Sequence, residues 1–204
     1  MSSRADLSFA LHKLAKVSAN PGKANFEGLV HLLRYIRYNK TLGLKYYADL
    51  NDAPVTDLLR QANINTKNHL IDFSNSSWQD CTDTGRSTGA YNIFYQGGPI
   101  DHGTHVPGQV KQSSAESEYN AACTSGMALA HFRMLVHELL NEDPDIVPKE
   151  APLIVLKRKS AMCMATNGKY TKNIRHIARR MHFVRNREKC NMHKIDWKKL
   201  VLRI

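Results

Sequence analysis

At 204 residues, with 42% hydrophobic and 23% charged residues, the chain is long enough to bury one large core, or one domain with an appendage. No stretch approaches the ~20 apolar residues of a membrane span, since GMALAHFRMLVHELL is broken by His131, Arg133 and His137. MSSRADLSF lacks an apolar signal core, and the expectation is a soluble intracellular protein. The net charge of +11 is one-sided: residues 154–204 hold 15 Lys or Arg against Glu188 and Asp196, a local +13, which leaves residues 1–153 at −2. A patch of that density attracts polyanions, nucleic acid first, because each neutralised phosphate releases counterions. A solvated helix face or an acidic protein contact is the plainer alternative.

The spacing predicts a helix over DLSFALHKLAKVSA, with Leu7, Leu11 and Leu14 in line, ending at Asn20-Pro21-Gly22. A second, KANFEGLVHLLRYIRYN, sets Phe26, Leu29, Val30, Leu33 and Ile36 on one face for packing. GLKYYADL reads as a strand, and DAPVTDLLRQANINTKN as a polar connection with a short helix. NHLIDFS, AYNIFYQGG and a short extended piece before HGTHVPG then read as three consecutive strands. A long helix runs from Ser113 to about Asn141. It opens on SSAE, a capping box of Ser113 and Glu116, and offers Tyr119, Ala122, Cys123, Leu129, Ala130 and Leu135 to the core.

Beyond the loop NEDPDIVPKEAP, LIVL is a buried strand and SAMCMAT a short helix closed by Asn167-Gly168. TKNIRHIARRMHFVRNREK is a helix with Ile174, Ile177, Met181 and Val184 inward, and NMHKIDWKKLVLRI holds a last strand. Strand, strand, strand, helix, strand, helices, strand is an α/β order with a mixed sheet. Cys81, Cys123, Cys163 and Cys190 form no paired spacing, so neither a disulfide framework nor a zinc ribbon is expected. His102, His105, Cys190 and His193 would suffice in number for zinc, but loop histidines and a buried thiol are the simpler reading.

The words DFSNSSWQDCTDTGRSTGAYNIFYQGGPI, QSSAESEYNAAC, IVLKRKSAM and RHIARRMHFVRN resemble, in order, the blocks of the ribonuclease H domain of copia-type retrotransposon polyproteins. The upstream stretch from LSFALHKLAKV to LGLKYY resembles the region that links polymerase to that domain. The resemblance implies a connection-like helical region over 1–66 and a ribonuclease H-like mixed sheet flanked by helices over 67–204. It also implies that this chain lacks the polymerase palm and the family's final helix, whose absence would leave apolar surface for a protein partner to cover. The family hydrolyses the RNA strand of RNA-DNA hybrids with two Mg²⁺ ions held by four carboxylates.

Carried over residue by residue, the resemblance places the first carboxylate at Asn75 in FSNSSW, where an amide has lost the charge that draws metal in. Asp72 is not the matching position, and strand alternation sets it on the opposite face from Asn75. The second is retained as Glu118 in ESEY. The third falls on Lys157 in LKRKSAM; a cation about 4 Å from a divalent ion is repulsive by several kcal/mol even at an effective dielectric near 20. The fourth belongs to the final helix. The expectation is a module that binds RNA-DNA hybrid or RNA through Lys157, Arg158, Lys159, Arg175, Arg179, Arg180, Arg185 and Arg187, with hydrolysis lost and Mg²⁺ needed only if activity survives on Glu118. A recruited structural subunit of a larger assembly, and an active Mg²⁺-dependent hybrid endoribonuclease, are the alternatives.

Overall fold

A computed structural model describes residues 4–61, 70–139, 152–156, 159–166, 183, 186 and 194–197. A five-stranded sheet organises them: β1 (Leu70–Ser77), β2 (Thr88–Tyr95), β3 (Gly98–His105), β4 (Leu153–Leu156) and β5 (Lys194–Trp197), in the order β3-β2-β1-β4-β5. β1, β2 and β3 pair antiparallel, whereas β4 runs parallel to both β1 and β5. This is a mixed sheet flanked by helices, as the α/β order of the sequence predicts. All four residues of β4 are buried, which is why LIVL is apolar without alternation: a parallel central strand is covered on both faces. The β2–β3 turn is Gln96-Gly97, both at positive φ (49° and 73°), the mirror-image turn that suits the strand twist.

The helices are α1 (Ser8–Ala15), α2 (Lys23–Tyr38), α3 (Pro54–Gln61), α4 (Ser114–Leu139) and α5 (Lys159–Thr166), with 3-10 turns at Ala5–Leu7 and Leu50–Asp52. β1 divides the core by alternation. Leu70, with Ile93, Ile154 and Leu156, packs on Ala122, Leu129 and Phe132 of α4 and Ala161 of α5. Ile71, with Leu153 and Val155, packs on the opposite face against Ala53 and against Val55 and Leu59 of α3. Tyr119, Cys123 and Ala165 make a third cluster between α4 and α5, joined by Phe183. Of the anticipated α4 core residues, Tyr119, Ala122, Cys123 and Leu129 are buried, and Leu135 packs partly buried at the margin.

Small residues let α4 approach the sheet closely. A Cβ on Gly89 would lie 2.6 Å from the His105 ring and 3.3 Å from the Ala121 Cβ. Gly89→Ala is therefore expected to cost about 1–3 kcal/mol in chemical denaturation, as overpacked cores do.

Three expectations are corrected. GLKYYADL is no strand: Leu42–Tyr47 runs without regular structure, joined to the β2–β3 turn by Tyr47 N donating to the Gln96 carbonyl (3.4 Å) and the Tyr46 hydroxyl to the Pro99 carbonyl (3.1 Å). The apolar line of α2 does not face the core. Leu32 is its buried residue, while Phe26, Leu29 and Leu33 are exposed, because α2 meets α1 along Gly28, which comes against Leu14. The first helix is also shorter than anticipated: only Leu7 of its three leucines is buried, and Leu11 is half-exposed. The expected helix over 171–189 lies outside the described residues, apart from Phe183 and Asn186.

Candidate functional site

The residues around FSNSSW distribute themselves over both sheet faces. Asp72, Ser74 and Ser76 point at α4, where the Ser76 and Ser117 hydroxyls are hydrogen-bonded. Asn75, one step out of phase, is exposed on the other face, in register with Ala90 and Thr104. That face receives α1. Ser8 Oγ lies 3.1 Å from Thr104 Oγ1, Lys16 Nζ lies 3.4 Å from Thr88 Oγ1, and Lys13 pairs with Asp80, whose oxygens also accept from the Thr88 hydroxyl at 2.8 and 2.9 Å. Burial alone would raise the Asp80 carboxyl; the bonds from Lys13 and Thr88 and the charges of Lys13 and Lys16 hold it below the ordinary value. Burial and the same two lysines lower the His12 imidazole. The surroundings of this face thus carry cationic side chains.

Glu118 sits on α4 and is buried, on the side of the sheet that Asn75 does not face. Its helix starts as the sequence anticipates: Ser113 Oγ accepts from Glu116 N (3.1 Å), and Glu116 Oε2 reaches back to accept from Gln112 N (2.9 Å). Sequence reasoning missed the partner of that glutamate. Lys111 is buried with it, Nζ 3.6 Å from Oε1, while its own carbonyl accepts from Trp78 Nε1 at 3.0 Å. A lysine two residues before a capping serine was the available signal.

The fully buried acid on the α4 side is Asp72. Burial pushes its carboxyl up to about 7, against weaker opposing effects of the Ser125 hydroxyl and the Asn92 backbone. Neither carboxylate oxygen makes a hydrogen bond of ordinary geometry among the described residues. Nearby, Tyr91 donates to Asp101 Oδ2 (3.1 Å), and burial with the Asp101 and Asp72 charges pushes the phenol up to about 12.

Lys159 is the first residue of α5; Lys157, Arg158, Arg175, Arg179, Arg180, Arg185 and Arg187 lie outside the described residues. A neutral amide on one face and a buried glutamate on the other do not suit Mg²⁺, which demands several oxygens around one point. Among the described residues no three His, Cys, Asp or Glu side chains come together as a metal site. Nor, among them, is any helix long and apolar enough to cross a membrane.

No family model matches the chain. The retrovirus-related Pol polyprotein from transposon RE2 of Arabidopsis thaliana is 25% identical over 183 residues, 90% of this chain and 11% of the polyprotein. Its counterpart from transposon TNT 1-94 of Nicotiana tabacum is 24% identical over 182 residues, 89% of this chain and 12% of the polyprotein. The chain is similar to the Pol polyproteins of copia-type transposons over nine-tenths of its length. It spans about one-ninth of the length of those relatives. Among solved structures, LC11-RNase H1, crystallised in complex with an RNA/DNA hybrid, matches at a TM-score of 0.43 and 10% identity over 63% of this chain and 82% of that one.

Proposed function

We propose that the chain is a retroelement-derived ribonuclease H-like module that binds nucleic acid, RNA-DNA hybrid or RNA, and has lost hydrolysis. The observation that carries this reading is the replacement of metal-drawing charge at the family's positions. Asn75 is an amide exposed on a face flanked by Lys13 and Lys16, and Lys157 is a cation in the sequence position of an aspartate. Two-metal hydrolysis needs the ions held and aligned between converging carboxylates, and Glu118 alone does not provide that. Binding needs only positive charge, which the local +13 of residues 154–204 supplies, with Lys157, Arg158, Lys159, Arg175, Arg179, Arg180, Arg185 and Arg187 as the phosphate contacts.

The test is a titration of labelled RNA-DNA hybrid in Mg²⁺, read for binding and cleavage together. Binding that weakens steeply with salt, and no cleavage above background in the natural chain or in Glu118→Gln, is the expected pair of results. Mg²⁺-dependent cleavage abolished by Glu118→Gln would establish an active nuclease instead, and salt-insensitive binding would remove the phosphate-contact mode.

A further inference from the structure

We propose that the exposed strip from Arg34 to Tyr46 is a contact surface for single-stranded nucleic acid, with Tyr38 and Tyr46 as base-stacking platforms and Arg34, Arg37, Lys40 and Lys45 as phosphate contacts. The proposal rests on the nucleic-acid-binding reading above, and adds to it a place outside the basic C-terminal quarter and a form of ligand.

The sequence between Glu27 and Asp49 contains these four cations and His31, and no carboxylate. All four cations are exposed along the end of α2 and the segment that follows it. The nearest acid on the N-terminal turn does not offset them: Asp6 is held by Arg4 through bonds of 2.9 and 2.8 Å. Basic side chains in this number track a phosphate backbone whether or not its bases are paired.

The aromatics make the strip selective. Tyr38 is 85% exposed and Tyr46 59% exposed, an unusual disposition for rings that normally bury much of their surface. Tyr46 is also fixed. Its hydroxyl donates to the Pro99 carbonyl, and its ring lies over Gly98 so closely that a Cβ there would come within 2.3 Å of Cδ1. A ring seated on a glycine and tethered at its hydroxyl, yet still more than half open to solvent, loses little freedom when a base stacks on it. Neighbouring aromatics have other duties. Tyr35 lies beneath the Arg4 guanidinium, 5.9 Å from the ring centroid, and Tyr47 turns inward onto the cluster around Ile71 and Ala53. Base faces are available in a single strand and hidden in a duplex, so stacking rings beside phosphate-binding cations select the unpaired form.

The test uses the full chain and fluorescence anisotropy with labelled single-stranded DNA and RNA of about 15 nucleotides, the upper range of one binding site, beside an RNA-DNA hybrid of the same length. Tyr38→Ala and Tyr38→Ala/Tyr46→Ala are expected to weaken single-strand binding by about fivefold and about 25-fold or more, at roughly 1 kcal/mol or more per lost stack, with hybrid affinity unchanged. Tyr38→Phe should bind as the natural chain does. Tyr38→Ala serves where Tyr46→Ala disturbs the hairpin, since Tyr38 is almost wholly exposed. Failure of the natural chain to bind any of these ligands would overturn the nucleic-acid reading and this one with it. Hybrid binding together with single-strand binding that is absent, or untouched by Tyr38→Ala, would overturn this inference alone. So would an equal loss on both ligands, or a change in self-association with no change in anisotropy, which would assign the strip to a protein contact.

Discussion

Asp72→Asn should flatten the pH dependence of stability and make the protein more stable above neutral pH. The carboxyl is fully buried beside α4 and is pushed up from the ordinary 3.8 to about 7. Between those values the folded protein holds a proton that the unfolded chain has released, so stability falls as pH rises from about 4 to about 7 and stays lower above that. The difference corresponds to about 4 kcal/mol when complete. An amide has no charge to desolvate, and the Ser125 oxygen, whose hydrogen is donated to the Ala122 carbonyl (3.1 Å), can accept one of its hydrogens. Because the second amide hydrogen still needs an acceptor, the net gain at about pH 8 should be nearer 1–3 kcal/mol than 4. Urea denaturation of both proteins across this pH range isolates the effect from other titrating groups. Parallel profiles would show that Asp72 stays ionised in the fold.

Asp72 also shows what a strand pattern conveys and what it omits. Alternation along LIDFSNSS is enough to separate Asp72 from Asn75, and the structure keeps them on opposite faces. The pattern does not say which face receives the long helix; here it is the Asp72 face, so Glu118 and Asn75 end on opposite sides of the sheet. The same limit applies to α2. Its line of Phe26, Leu29 and Leu33 is a legible helical period, but a period records amphipathicity and not the partner, and the packing runs along Gly28 and Leu32 instead. The three antiparallel strands, the buried LIVL and the capping box were readable because each is a local requirement: alternation, a run covered on both faces, a hydroxyl at an orphan amide. GLKYYADL misleads because its aromatic character serves docking of Tyr46 and Tyr47 on a hairpin turn, with one long backbone bond where a strand would need a ladder.

The cationic surroundings of the Asn75 face and the burial of Glu118 have a joint consequence for restoring chemistry. Adding a carboxylate at position 75 would place it on the face that receives α1 and across the sheet from Glu118, so charge restoration at one position does not rebuild a converging set. The loss of hydrolysis proposed here is therefore a matter of geometry as well as of residue type. It leaves intact the features on which the proposed binding rests, positive charge and open aromatic rings.

Lys111→Met should destabilise the protein by about 3–5 kcal/mol, the range for removing one partner of a buried ion pair. Lys111 and Glu116 are 2% and 4% exposed, and the pair stands at the start of α4, where Glu116 also caps through Gln112 N. Without the lysine, the Glu116 charge stays desolvated and loses its ion pair, while the capping amide and the helix N-terminus favour an anion in the first turn by less than that pair does. Glu116→Gln keeps the capping geometry and removes the charge. The double variant Lys111→Met/Glu116→Gln should accordingly recover more than half of the loss, because the penalty lies in the uncompensated charge and not in the missing contact. A full double-mutant cycle in urea measures that coupling. Additive losses would mean that Lys111 acts by filling buried volume at the start of α4. Recovery in the double variant would instead make the start of α4, and with it the placement of Glu118 two residues further on, an electrostatic construction.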